Sequence, residues 1–239
     1  MTLSLNESNA GDRQNGELPI AAQSPILRGA YVHRMGENLE DERLAARSWT
    51  ARGFAVENLE DPTERFSRRP DLLLSQDGKP WAYCEVKTVW RHFWKVHILH
   101  EDHEEVRTEQ SGKSMEERIG GDLVTAGRQL HADNPNHSLP NFVVLVNRDS
   151  EASFEILGRI FTTPPPQAKR GLKARHDLME YEEIQRFRRN VDLCLWANPG
   201  ANGELLIEGC VLFNPCLRSF AEEIAGLRGS KLIPLEPAA

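Results

Sequence analysis

Apolar and polar positions follow two different periods along this chain, and the switches between them divide it into helices and strands. From Asn38 to Arg52 the apolar positions Leu39, Ala45, Ala46 and Trp49 recur at helical spacing, and Gly53 supplies a stop, which predicts a first helix. Short apolar runs at Phe54–Val56, Leu72–Leu74 and Trp81–Val89 predict three strands. The last two are separated by Asp77-Gly78, a pair that favours a tight hairpin turn. Helical spacing returns over Met115–His131, and Pro140 then precedes the apolar run Phe142–Val146. Helix, three strands, helix, strand is the order of a meander followed by a crossover helix. It predicts an α/β fold, a mixed β-sheet flanked by helices with an αβββαβ core.

The rest of the chain divides less sharply. Residues 1–25 carry Ser, Asn, Gly and Asp without sustained periodicity and read as a flexible lead-in, residues 26–150 as the core, and residues 151–239 as a C-terminal extension packed on it. In that extension, Phe154–Phe161 reads as a further strand, Pro164-Pro165-Pro166 as a break, and Leu178–Arg189 as a helix. Val191–Ala197 and Glu204–Phe213 then read as a β-hairpin around the turn residues 198–203. The charged stretch Trp90–Glu117 suits a helix or a lid, and the tail after Gly229 predicts no element.

Composition narrows the class. At 239 residues the chain can bury a substantial core, and no apolar run approaches the roughly 20 residues that span a membrane. With no basic-then-apolar leader pattern in Met1–Pro25, the expectation is a cytoplasmic protein with no membrane partner. Cys84, Cys194, Cys210 and Cys216 form no CxxC pair and sit in or beside apolar segments, so they read as buried thiols. A net charge of −7 argues against nonspecific coating of nucleic acid, which needs clustered Lys and Arg. It leaves room for a local basic groove. Arg65, Arg68 and Arg69 form one such cluster, and Lys169, Arg170, Lys173, Arg175, Arg186, Arg188 and Arg189 crowd a later segment. That segment reads equally as a phosphate contact or as a solvated face with pairs such as Glu182 with Arg186.

Candidate chemistry concentrates in the predicted meander. Glu85 and Lys87 are two residues apart on one strand and so project to one face, while Cys84, Val86 and Thr88 point the other way. Fourteen positions upstream, Pro70-Asp71 opens the preceding strand, and hairpin pairing would bring its carboxylate to the same place. Two acids and a lysine converging there could hold Mg²⁺ or Mn²⁺ and handle a scissile phosphate. The pattern Pro70-Asp71…Glu85-Val86-Lys87 resembles the PD-(D/E)XK, or restriction-endonuclease-like, nuclease superfamily. The resemblance covers residues 38–147 and implies metal-dependent phosphodiester hydrolysis of nucleic acid, with DNA the expected substrate. It implies Asp71 and Glu85 as metal ligands, the Val86 carbonyl as a further ligand, and Lys87 to orient or activate water.

A third acid is expected from the first helix, where Glu42 shares a face with Ala45, Ala46 and Trp49; Glu40 is the runner-up. The run Glu42-Arg43-Leu44-Ala45-Ala46-Arg47 with Gly53-Phe54 resembles the acidic helix of small bacterial members of the superfamily and favours Glu42. Gln129 on the second helix is a candidate contact to the site or the nucleic-acid backbone, as are Arg69, Lys169, Arg170 and Lys173. His97, His100 and His103, with His92 nearby, have spacing compatible with zinc, but no flanking motif fixes their geometry and a solvated lid is the competing reading. Cutting both strands of a duplex would be served by a homodimer, although no interface signature appears. The alternative to an enzyme is a noncutting nuclease-fold module that binds nucleic acid or a protein partner.

Overall fold

The computed structural model describes residues 39–59, 69–90, 93–99, 104–110, 114–164, 172–226 and 231–235. The expected lead-in at residues 1–25 lies outside them. Helix α1 occupies residues 39–51 and is followed by the strands β1 (Ala55–Asn58), β2 (Leu72–Gln76) and β3 (Lys79–Val89). β2 and β3 form a hairpin whose two turn residues, Asp77 and Gly78, have φ of 51° and 73°. Positive φ at both central positions is the geometry whose twist matches a right-handed strand pair, and Asp-Gly adopts it at little steric cost.

Helix α2 (Met115–Asp133) carries the chain back to β6 (Asn141–Asn147), which pairs in parallel with β3. Ser114 caps it through a reciprocal bond pair with Glu117. Helices α3 (Glu155–Thr162) and α4 (Leu172–Asn190) lead to β7 (Leu193–Pro199), which forms an antiparallel pair with β8 (Leu205–Leu212). A 3-10 turn at Pro215–Leu217 and helix α5 (Arg218–Gly226) precede β9 (Lys231–Pro234). The result is a seven-stranded mixed sheet in the order β1-β2-β3-β6-β7-β8-β9, flanked by helices. Among the described residues, no helix is long and apolar enough to cross a membrane.

Alternation along β3 sorts its side chains between two cores. Ala82, Cys84 and Val86 join Leu44, Ala45 and Trp49 of α1 and Ala221 and Ile224 of α5 on one face. Val89 and Tyr83 join Ile119, Leu123 and Leu130 of α2, with residues of α3 and α4, on the other. β8 lets the ring of Phe154, part of the second core, approach closely: a side chain at Gly209 would meet that ring at 2.7 Å.

Several expectations are corrected. Residues 155–162 are helical, not a strand; Ile156, Leu157 and Phe161 are buried at helical spacing, and an apolar run this short does not distinguish the two states by periodicity. In the charged stretch after β3, residues 93–99 and 104–110 are not helical but form a separate two-stranded sheet of β4 (Phe93–Leu99) and β5 (Glu104–Gln110). Here β-branched Val96, Ile98 and Val106 favour strands despite the surrounding charge. The tail is also structured: β9 adds a parallel edge strand, with Leu232 packed against one core and Ile233 against the other. α4 begins six residues before the expected helix.

α1 is fastened to the sheet by a buried charge. Asp41 is fully buried; its Oδ1 accepts bonds from Arg148 Nη2 at 2.6 Å and Nε at 3.0 Å, and its Oδ2 accepts from Thr88 Oγ1 at 2.6 Å. Truncating one partner of such a pair strands the other charge, whereas removing both often costs little. Arg148→Met is therefore expected to lower unfolding stability by about 3 kcal/mol. Combining it with Asp41→Asn should restore part of that loss, as measured by urea unfolding of both variants.

Candidate active site

The register of the β2–β3 hairpin pairs Leu72 with Cys84, which sets Asp71 across from Glu85. Directly opposed residues share a face, and both carboxylates stand on the face covered by α2. Asp71 Oδ2 accepts the Val86 backbone N–H at 2.6 Å, so the acid is seated on the strand that carries Glu85. Val86 thus appears here as a donor to Asp71, and its side chain enters the core under α1. Lys87 Nζ donates to Glu85 Oε1 at 2.5 Å and to Gln129 Oε1 at 2.9 Å. Gln129 Nε2 in turn donates to the Arg69 backbone carbonyl at 3.4 Å. The structure therefore brings Asp71, Glu85, Lys87 and Gln129 together.

Burial governs the electrostatics. Glu85 is completely buried, and its Oε2 has no hydrogen-bond partner. Desolvation first, then the charge of Asp71, pushes its carboxyl well above the usual carboxylate range, against the opposing pull of Lys87. Burial alone would lower Lys87, but Glu85 and Asp71, with a smaller contribution from Asp122, outweigh it and hold the ammonium above its ordinary value. A lysine held in that state is a fixed cation, not a proton acceptor, at neutral pH.

Glu42 is buried on α1, the helix that covers the opposite face of the sheet from Glu85 and Lys87. The carboxylates acting most strongly on Lys87 are Glu85, Asp71 and Asp122. Glu40, the runner-up, lies 3.7 Å from Arg148. Among the described residues, no group of three or more His, Cys, Asp or Glu side chains is arranged to hold a metal ion. A two-carboxylate start at Asp71 and Glu85 is thus what the described residues offer.

Two acids escaped the sequence reading, Asp122 beside Lys87 and Asp41 on the other face of the sheet. Asp122 stands seven residues before Gln129 and so on the same face of α2, a spacing that marks it once Gln129 is suspected. Asp41 directly precedes the expected acid, and only the rotation of α1 reveals it as the tether to Thr88 and Arg148.

The remaining candidates scatter. Arg69 is exposed but engaged by Asp133 at 3.1 Å. Lys169 and Arg170 lie outside the described residues, as do Arg65, Arg68, His92, His100 and His103. Lys173 and Arg175 fall in the first turns of α4 and His97 in β4, with only their backbones described. Arg186 pairs with Glu183 at 3.1 Å, one position from the expected Glu182. Cys84, Cys194 and Cys210 are buried, and burial pushes the Cys210 thiol up to about 11; Cys216, expected buried, is exposed. It sits on the 3-10 turn outside both cores.

No family model, curated protein or solved structure matches this chain.

Proposed function

We propose that this chain is a divalent-metal-dependent nuclease of the PD-(D/E)XK type, built on a restriction-endonuclease-like core and hydrolysing phosphodiester bonds in DNA. The observation that carries the reading is the unpaired, fully buried Oε2 of Glu85 beside a second carboxylate, Asp71. Two acids held together out of water destabilise a fold unless a cation joins them, and Lys87 bonds Glu85 through Oε1, leaving its buried Oε2 without a hydrogen bond. Oxygen donors in this number suit Mg²⁺ or Mn²⁺ with water completing the shell. Asp71 and Glu85 would hold the ion, which when bound supplies Lewis acidity at the phosphate and a lowered pKa for water.

The chain's own residues supply the remainder. Lys87, charged and held by Glu85 and Gln129, offers positive charge to the non-bridging oxygens as a water oxygen bonds to phosphorus and the bond to the leaving oxygen breaks. Lys87 is already protonated, so the proton of that water passes to solvent, and the leaving oxygen takes up a proton from solvent in turn. The packed surroundings of Glu85 limit bulk water around the charges and strengthen their effect on the phosphate.

Glu85→Gln and Lys87→Met should each reduce Mg²⁺- or Mn²⁺-dependent cleavage by on the order of 100-fold or more while leaving the circular dichroism spectrum unchanged. The assay uses linear, circular, single-stranded and branched DNA with RNA alongside, and EDTA as control. Full cleavage by a folded double variant would refute the site. Intact nucleic-acid binding without cleavage by the unaltered protein would favour the noncutting module.

Glu85 also sets an expected pH dependence of stability in EDTA. Its folded-state pKa lies above the unfolded value, so in the interval between them the folded state binds more protons. Stability should therefore fall as pH rises from the ordinary carboxylate range through the raised value. Lys87 acts in the alkaline range: its contribution is present below the unfolded lysine pKa and is lost as pH rises through the raised folded value. Glu85→Gln should flatten the acid-side fall and raise the melting temperature at pH 7 to 8; an unchanged profile would contradict the buried carboxylate.

A further inference from the structure

We propose that Gln129 is a positioning residue that couples the two halves of the acidic site, holding Lys87 on β3 in register with the Arg69–Pro70–Asp71 approach to β2. The inference rests on the nuclease reading above, but the geometry behind it does not. An ammonium can only donate and a backbone carbonyl can only accept, so the neighbours of Gln129 dictate which way its amide faces. Oε1 must face Lys87 Nζ, 2.9 Å away, and Nε2 must face the Arg69 carbonyl, 3.4 Å away. A side chain that accepts at one end and donates at the other satisfies both.

The attachment has two points on α2. One turn beyond Gln129, Asp133 accepts from Arg69 Nε at 3.1 Å, so side chain and backbone of Arg69 are each held by the same helix. The next residue but one is Asp71, whose carboxylate is seated on the Val86 N–H. Displacing the Arg69 segment therefore displaces the acid. On the other side, Glu85 and Lys87 are neighbours on one strand face, and their bond alone leaves the flexible lysine stem free to swing about Glu85. The contact from α2 supplies the second fixed point. Gln129 acts through Lys87 and Arg69 and not on the reacting atoms, so its removal should change turnover more than substrate affinity.

The variants are Gln129→Met, which keeps the size and helix propensity without polar groups, and Gln129→Glu, which keeps the acceptor for Lys87 but loses the donor to Arg69. In the full-length protein with Mg²⁺ and a duplex oligonucleotide or plasmid, Gln129→Met should lower kcat by on the order of 10- to 100-fold with KM within about twofold. Gln129→Glu, which keeps one of the two bonds, should give a kcat between that of Gln129→Met and that of the unaltered protein. A second readout needs no activity: reductive methylation of Lys87 in the metal-free protein, followed by peptide mass spectrometry, should be several-fold faster in Gln129→Met and near the unaltered rate in Gln129→Glu. Unchanged kcat with unchanged methylation in Gln129→Met would overturn the role of Gln129 and leave the nuclease reading standing. Equal losses in Met and Glu variants, with equally exposed Lys87, would also overturn it. If the unaltered protein cleaves nothing, the nuclease reading fails, and the methylation rates alone decide whether Gln129 holds Lys87.

Discussion

A buried carboxylate in an interior strand is the constraint on which the rest of this structure turns. β3 is paired on both edges, by β2 and β6, and Glu85 within it is fully buried. Its charge can be tolerated only through neighbours placed by other elements: Lys87 two residues on, Asp71 from the hairpin partner, and Gln129 acting through Lys87 from α2. An isolated ion in that position would cost several kcal/mol, and a pair recovers it only when its geometry is good. The hairpin register, the crossover and the rotation of α2 are therefore tied to one side chain. A one-residue slip of β3 would send Glu85 and Lys87 into the apolar core under α1 and bring Cys84 and Val86 to the acids.

The two faces of the sheet have taken different work. Under α1 and α5 lies an aromatic cluster, with Trp49 stacked on Phe142 and Trp81 against Phe54, and the buried Asp41 beside it is engaged by Arg148 and Thr88. Under α2 the apolar packing gives way along one edge of the helix to Asp122, Gln129 and Asp133, which meet the acids and the approach to β2. The amphipathic division of α2 explains how one helix does both. Ile119, Leu123, Ala126 and Leu130 make its buried stripe, and the polar residues flank that stripe at helical intervals.

What the sequence disclosed follows the range of the forces involved. Local signals were readable: Asp77-Gly78 specifies its own turn, and period-two alternation puts Glu85 and Lys87 on one face without reference to anything else. The rotation of α1 was not readable, because Asp41 and Glu42 are adjacent acids and the residue that seats Asp41 is Arg148, more than a hundred residues away. Residues 155–162 failed for a related reason, since eight residues of mixed apolar character fit either period until the sheet and α4 supply the surface they pack on. β9 is shorter still, and its strand state depends on the free edge of β8.

On the proposed function, the raised Glu85 has a physical logic. Its carboxyl lies beside that of Asp71, and its Oε2 is buried with no hydrogen-bond partner. Burial and the charge of Asp71 favour the protonated acid. A divalent ion would compete with that proton for the same oxygens, and its affinity would rise with pH until the acid is fully ionised. Lys87 would then face less negative charge than it does in the metal-free protein, and its hold on Glu85 would weaken as the carboxylate turned to the ion. Gln129 is neutral at any pH, so as a partner of Lys87 it carries no charge that a proton or a cation at Glu85 would have to displace.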